Sequence, residues 1–296
     1  MIWCSGWELA AAVSNAGGLG LIGAGSMHPE TLEIHIKKCK AATNKPFGVN
    51  LPLLYPQTEE LLEIIVKHRV KIVFASAGNP KKYTGWLKEK GITVVHVVAN
   101  KKFALKAAEA GIDAIVAEGF EAGGHNGFEE TTTMVLVPLI SKIVDIPVIA
   151  AGGIGSGKAM FAAMALGAEG VQIGSLFAAA EESSAHQNFK NRVIEATDGS
   201  THLVLKKLVP VRLLENPFYE KVKEAEASGA DKTILAELLG KGRAKKGMFE
   251  GDITEGELEI GQVSAMINEI KPVSRIINEL IQEFNQTAEK TRQWRF

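Results

Sequence analysis

The stretch IPVIAAGGIGSGKAMFAAMALGAEGVQIGS (146–175) decides the architecture. An apolar run, Val148–Ala151, ends in Gly152-Gly153-Ile154-Gly155. A helical pattern follows over Ser156–Leu166, and a second apolar run, Gly170–Ile173, ends in Gly174-Ser175. Neither run alternates with polar residues, so both read as strands buried on two faces, as in a parallel sheet. The same unit repeats upstream. Strands are predicted over Leu19–Ile22, Phe47–Leu51, Lys71–Ala75, Ile92–Val98 and Ala114–Ala117. Helical patterns cover Glu8–Ala16, Pro29–Lys40, Thr58–His68, Pro80–Lys90, Lys101–Ala110 and Val135–Val144. Pro29 and Pro80 suit first-turn positions, and Ser156 suits a cap.

Repeated β-then-α units imply right-handed crossovers. Seven such strands are one short of a TIM (β/α)8 barrel. The prediction is that barrel over 1–180, its first strand missing or truncated, with Met1 just past that strand's end. An open doubly wound sheet is the competing architecture. The barrel is preferred because the last two units end in glycine-rich, phosphate-friendly turns, as the loops after barrel strands seven and eight often do. Past residue 180 no strand is evident; Pro210, Asn216-Pro217 and Gly240–Gly247 break up helices and loops. Ile267–Phe284 reads as a helix interrupted at Pro272. Residues 181–296 are thus expected to form a helical cap or lid, with a final helix returning to the barrel.

Composition narrows the function. The chain has 296 residues, 46% hydrophobic and 23% charged, with 33 Lys+Arg against 34 Asp+Glu. That balance excludes a dedicated nucleic-acid binder, which carries a basic excess. Two cysteines, Cys4 and Cys39, form neither a zinc pattern nor a disulfide framework, so no metal site is expected. No apolar run reaches the roughly 18 residues of a membrane helix. The start lacks a basic segment followed by an apolar one, so a cytoplasmic protein is expected.

Four constellations bear on chemistry. First, Ala151–Gly155 and Gln172–Ser175 are paired turns whose free N–H groups suit a phosphate. Tight βα turns alone would explain either, but two in adjacent units point to a ligand. Second, Glu118-Gly-Phe-Glu121-Ala-Gly123-Gly124-His125 lies on the loop after a strand, at the end of the barrel where catalysis occurs. His125 suits proton transfer near neutral pH. Glu118 suits a hydrogen bond to a ligand edge, and Glu121 suits bracing the loop. Third, Asn50 ends its strand with an amide able both to donate and to accept, as the edge of a heteroaromatic ring requires; a turn former is the plainer reading. Fourth, Lys241–Lys246 is a basic run for an anionic partner or simply a solvated loop. His96 reads as a core residue, and Ser183-Ser184 beside His186 has no triad geometry behind it.

These motifs resemble one family: the FMN-dependent nitronate monooxygenases, once called 2-nitropropane dioxygenases, with the related type II enoyl-acyl-carrier-protein reductases. The resemblance runs through AAAVSNAGGLGLIG (10–23), KPFGVN (45–50), AEGFEAGGHNG (117–127), IPVIAAGGI (146–154), LGAEGVQIGS (166–175) and ELEIGQ (257–262). It implies a TIM barrel with FMN at the C-terminal mouth. Asn50, Glu118 and Gly123 would contact the flavin; Gly153, Gln172, Ile173, Gly174 and Ser175 would hold its phosphate; His125 matches the catalytic histidine. The first implied activity is oxidation of alkyl nitronates with O2, His125 acting as base. The alternative is NAD(P)H-dependent reduction of enoyl thioesters, an acyl carrier protein docking on Lys241–Lys246. A flavin-binding protein without turnover is the third. Glu118 stands where the monooxygenase branch often has Gln, which with KPFGVN and SAGNPKKY (76–83) leans to the reductases. TTT at 131–133 leans to the monooxygenases. By analogy the resemblance also implies a homodimer.

Overall fold

The computed structural model describes residues 1–293. Seven parallel strands form one sheet: β1 (Gly20–Gly23), β2 (Phe47–Pro52), β3 (Ile72–Ser76), β4 (Thr93–Val98), β5 (Ala114–Glu118), β7 (Val148–Ala151) and β8 (Gly170–Gln172), paired in that order. The strand omitted from this list, β6 (Gly124–His125), belongs to a second sheet. Among the described residues β1 and β8 are the two edges of the large sheet. The chain has the (β/α)8-barrel architecture, with seven of the eight staves among the described residues. Met1 lies where the C-terminal ends of β1 and β8 converge: its carbonyl abuts Gly23, and its sulfur is the nearest atom to Gly174.

Two apolar clusters divide the strand residues between them, because successive side chains point to opposite faces. Phe74, Val95, Val116 and Ala151 pack with Leu21, Ile72, Val97, Ala114 and Ile149 inside the curl. Ile22, Val49, Leu51, Val73, Val94, Val98, Ile115, Ala117, Val148 and Ala150 face outward and join helix residues such as Leu32, Ile36, Leu62, Ala104 and Leu136. The register Gly23↔Asn50↔Phe74↔Val95 puts Asn50 on the inner face; Glu118↔Ala151↔Gln172 does the same for Glu118 and Gln172. His96 falls on the outer face and is buried in the core.

The helices start as their caps direct. Ser156 Oγ accepts from Ala159 N at 3.1 Å, a contact whose loss costs about 1 kcal/mol. Pro29 opens helix Pro29–Ala42. Pro80 instead opens a single 3-10 turn, Pro80–Lys82, and the helix proper is Thr84–Glu89.

The expectation of no strand past residue 180 is corrected. β9 (Thr201–Val204) and β10 (Val211–Leu214) form a small antiparallel sheet whose other edge is β6. A single bridge, Leu213↔Glu259, extends it. Pro210 interrupts no helix; it leads into β10, and its carbonyl accepts from Asn126 N at 2.9 Å. Pro272 likewise ends a loop, and the last helix runs Val273–Thr291, packed on Trp7–Asn15 and Gly157–Ala165.

Candidate functional site

The C-terminal ends of β5, β7 and β8 carry three loops that meet. Glu121 accepts from Thr133 N at 2.9 Å, and its Oε2 lies 3.0 Å from Thr133 Oγ1. That hydroxyl is also 2.9 Å from the carbonyl of Gly152. The brace predicted for Glu121 therefore joins the loop after β5 to the loop after β7. Segment 257–262 crosses above both. Gln262 N donates to the Glu121 carbonyl at 3.0 Å, and Gly261 N donates to Ser175 Oγ at 3.1 Å. The approach needs glycine at 123: a Cβ there would sit 2.4 Å from the carbonyl carbon of Ile260.

Each residue singled out from sequence can be placed on this frame. Asn50 lies on the inner face of β2, its Nδ2 donating to the Phe74 carbonyl at 3.1 Å. Glu118 ends β5 on the inner face. Protein walls it in on its sides while part of its surface stays open to the mouth, and that enclosure pushes its carboxyl up to about 7, against the opposing pull of the N-terminal ammonium. Gly153 follows β7 with φ +69°, a left-handed backbone that a β-carbon disfavours. Gln172 ends β8, and its Oε1 is buried without any hydrogen-bond partner. Ile173 packs into the apolar core, so only its backbone is on offer. A Cβ on Gly174 would be in ordinary contact with Met1, whose Sδ would lie 3.7 Å away. The backbone N–H groups of Gly153 and Gly174 find no acceptor among the described residues. His125 is exposed on β6, its backbone paired with Val211.

Three contributors were missed. Arg212 on β10 is almost fully buried. Its guanidinium donates to the Phe120 carbonyl at 2.9 Å and stacks 4.4 Å from the Phe120 ring centroid. It thereby fixes the loop that carries His125. A lone arginine inside the apolar run Val209–Leu214 was the available signal. Thr133, in the TTT run, ties three segments together. Glu259, inside the quoted ELEIGQ motif, reaches the mouth: a Cβ on Gly124 would lie 2.8 Å from its Oε2. Burial raises its carboxyl, and the charges of His125 and the N-terminus pull the other way.

The basic run is less basic in space than in sequence. Arg243 turns inward, donating to the Glu255 carbonyl at 2.7 Å and stacking over Phe218. Lys245 pairs with Glu250 at 2.9 Å and Lys246 with Asp252 at 3.1 Å. A cleft of about 190 Å3 lies beside the mouth, between Ala24–Met27 and Tyr55–Leu61. No helix among the described residues is long and apolar enough to cross a membrane.

The family model for nitronate monooxygenase matches residues 1–63 and 56–283. The chain belongs to the nitronate monooxygenase family. It is an oxidoreductase, and the family is one of flavoenzymes. A probable nitronate monooxygenase of Staphylococcus saprophyticus is 33% identical over 81% of each chain. A (3aS,4S,5R,7aS)-5-hydroxy-7a-methyl-1-oxo-octahydro-1H-indene-4-carboxyl-CoA dehydrogenase of Rhodococcus jostii is 29% identical over 95% of this chain and 90% of its own length. The solved structure of FabK from Thermotoga maritima superposes with a TM-score of 0.93 and 44% identity, covering 99% of this chain and 93% of that one.

Proposed function

We propose that this member of the family is an FMN-dependent reductase of conjugated thioesters, with NAD(P)H as the electron source. The residues present fit the cofactor. The orphaned Oε1 of Gln172 and the free N–H groups of Gly153 and Gly174 leave one acceptor and two donors unspent along one side of the mouth. Buried polar atoms rarely stay so. Gly153 and Gln172–Ser175 would hold the phosphate end, and Asn50, Glu118 and Gly123 would line the ring. When bound, FMN supplies hydride transfer, from the nicotinamide to the β-carbon of the enoyl group.

The observation that carries the reading is the likeness to FabK, 44% identical over 99% of this chain. Burial raises the carboxyls of Glu118 and Glu259 beside the mouth. Reducing a C=C bond needs a proton at the α-carbon after the hydride has added at the β-carbon. A nitronate is already deprotonated, and its oxidation needs no proton put in. His125, exposed at the rim on a backbone pinned by β10, is the proton donor in this reading. Its ring N–H serves the α-carbon, with the buried Glu259 carboxyl close to its loop. The likeness to FabK, which belongs to the type II enoyl-acyl-carrier-protein reductases, supports the same reaction. So does a relative named for a CoA thioester.

Nitronate oxidation is the second reading, favoured by the family model and by the name of the staphylococcal relative. In it His125 acts as a base or orients the bound nitronate. Anaerobic titration of the FMN-reconstituted protein separates the two. Bleaching by NADH or NADPH, with reoxidation by an enoyl thioester, is the expected outcome. A flavin that ignores both nucleotides and bleaches with an alkyl nitronate would reverse the order. His125→Ala should lower turnover roughly 10²–10⁴-fold with the flavin spectrum intact. Wild-type rates would remove His125 from the chemistry. An acyl carrier protein as thioester donor is tested by reversing Lys245 and Lys246. Their existing ion pairs lead us to expect little change in KM for it.

A further inference from the structure

Three carboxyls on or beside the mouth have no hydrogen-bond partner among the described residues: Glu118, Glu257 and Glu259. In the proposed complex the flavin ring takes Glu118, and Glu257 is closed off from solvent. Glu259 is neither taken nor closed off. It is partly open, and its backbone is pinned opposite Leu213 by the bridge that extends the small sheet. From there its carboxyl reaches over Gly124, the residue before His125. Half-buried carboxylates elsewhere are spent on backbone donors: Glu121 on Thr133 N at 2.9 Å, Glu226 on Leu205 N at 3.0 Å and Glu283 on Gly157 N at 2.8 Å. A polar group drawn out of water without a partner costs free energy. One kept so beside a reaction site is an acceptor held for a ligand.

The cleft of about 190 Å3 beside the mouth lies next to it. Its walls are largely apolar, from Ala24, Met27, Pro56 and Leu61. Gln57 also lines it, but its Oε1 is 3.2 Å from His28 Nδ1. The polar group left over is the Tyr55 hydroxyl, which has no hydrogen-bond partner among the described residues. Partial burial and the charge of Glu259 raise that phenol, so hydroxyl and carboxyl share one neighbourhood. The cleft is smaller than the about 300 Å3 at which ordinary ligand pockets begin. It suits a short group rather than a long chain.

We propose that Glu259 selects the substrate, accepting a hydrogen bond from a hydroxyl on a short acyl group whose carbons occupy the cleft beside Tyr55. The assignment rests on the thioester-reductase reading and narrows its substrates to hydroxylated, short-chain enoyl thioesters. A hydroxyl donates one hydrogen bond and accepts two. Its proton goes to Glu259, and one of its lone pairs takes the Tyr55 O–H. A plain alkyl chain in the same place strips water from the carboxyl and returns nothing. An acyl group ending in a carboxylate is repelled. A fully enclosed site built round a hydrogen bond rejects the analogue lacking it by about 10⁴–10⁵-fold. Glu259 is partly open, so the expected discrimination is about 10–100-fold.

The N-acetylcysteamine thioesters of trans-2-hexenoic acid and 5-hydroxy-trans-2-pentenoic acid test it, since they differ only by a methyl or a hydroxyl at the tip. Steady-state kinetics of the FMN-loaded protein, with NADH or NADPH as reductant, give kcat/KM for each. The hydroxylated thioester should be preferred by about 10-fold or more. Glu259→Met should reverse the order, lowering kcat/KM for the hydroxylated thioester and raising it for the hexenoyl one. Glu259→Gln, whose amide oxygen still accepts, should keep most of the preference, and Tyr55→Phe should lose part of it. Binding of the two saturated products, read from the shift of the flavin spectrum, should show the same preference without turnover. Equal kcat/KM for the pair in the wild type, or a Glu259→Met effect that falls on both thioesters alike, would overturn the proposal and leave the reductase reading standing. Failure to reduce either thioester would overturn both.

Discussion

Glu118 shows how far a single position can be taken from sequence. Its place beside the mouth was legible because the apolar run Ala114–Ala117 stops just before it; the sequence pattern puts it on the following loop, and the structure makes it the last residue of β5. Its protonation was not legible, since that depends on the walls that fold around it. Enclosure sets its carboxyl near 7, so the ring it is proposed to line meets a group that titrates at working pH. A carboxylate accepts from a ring N–H better than the neutral acid does. FMN affinity should therefore rise, by up to about tenfold per pH unit, as pH climbs through 7. Glu118→Gln, which keeps the shape and removes the titration, should flatten that dependence between pH 6 and 8. Fluorescence quenching titrations at several pH values measure it directly. An equal slope in both proteins would detach Glu118 from the cofactor.

At the scale of elements, the small sheet β6–β10–β9 is what turns a flexible glycine-rich loop into a platform. Arg212 is its pivot, because one guanidinium both satisfies the Phe120 carbonyl and covers the Phe120 ring. Arg212→Met fills similar volume but leaves that carbonyl unpaired, at a cost of about 1–3 kcal/mol. The loop bearing His125 should loosen with it. We expect a lowered thermal midpoint together with a fall in kcat that exceeds any rise in KM, read from steady-state kinetics well below the midpoint. Arg212→Lys should not rescue either, since an ammonium cannot reproduce the planar stack. Unchanged kcat at reduced stability would make Arg212 a purely structural residue. The barrel strands were readable because each is an apolar run next to its own helix. β6, β9 and β10 were not. They are two to four residues long, and β6 finds its partner only after some eighty intervening residues, so no local pattern announces the pairing. The basic run Lys241–Lys246 was misleading for the same reason, since some of its carboxylate partners, such as Glu255, lie well outside the run.

For the molecule as a whole, the raised carboxyls predict an unusual dependence of stability on pH. Glu257 is only 7% exposed. Burial pushes it up to about 8, with the neighbouring Glu259 adding and Arg243 opposing. An unfolded glutamate releases its proton near 4.5, whereas the folded protein keeps that of Glu257 to about 8 and that of Glu118 to about 7. Over that window the native state binds more protons than the unfolded chain, so stability falls as pH rises. The stabilisation is fully present below about 4.5 and gone above 8. At about 1.4 kcal/mol per pH unit, Glu257 accounts for a few kcal/mol and Glu118, partly open to the mouth, for less. The acid side runs the other way. Hydrogen bonds from Lys37, His68 and Lys67 hold Glu33 at about 2, a contribution lost as pH drops from 4.5 towards 2. The flavin-free protein should thus be most resistant to urea near pH 5, its unfolding midpoint declining steadily to pH 8.5. Glu257→Gln, which satisfies the same volume without a titrating proton, should remove most of the decline and raise the midpoint at pH 8. A midpoint that is flat or climbs between pH 5 and 8 would mean that Glu257 ionises in the folded state with compensation from Arg243. The cluster around segment 257–262 would then be an ion pair rather than a store of protons beside the mouth.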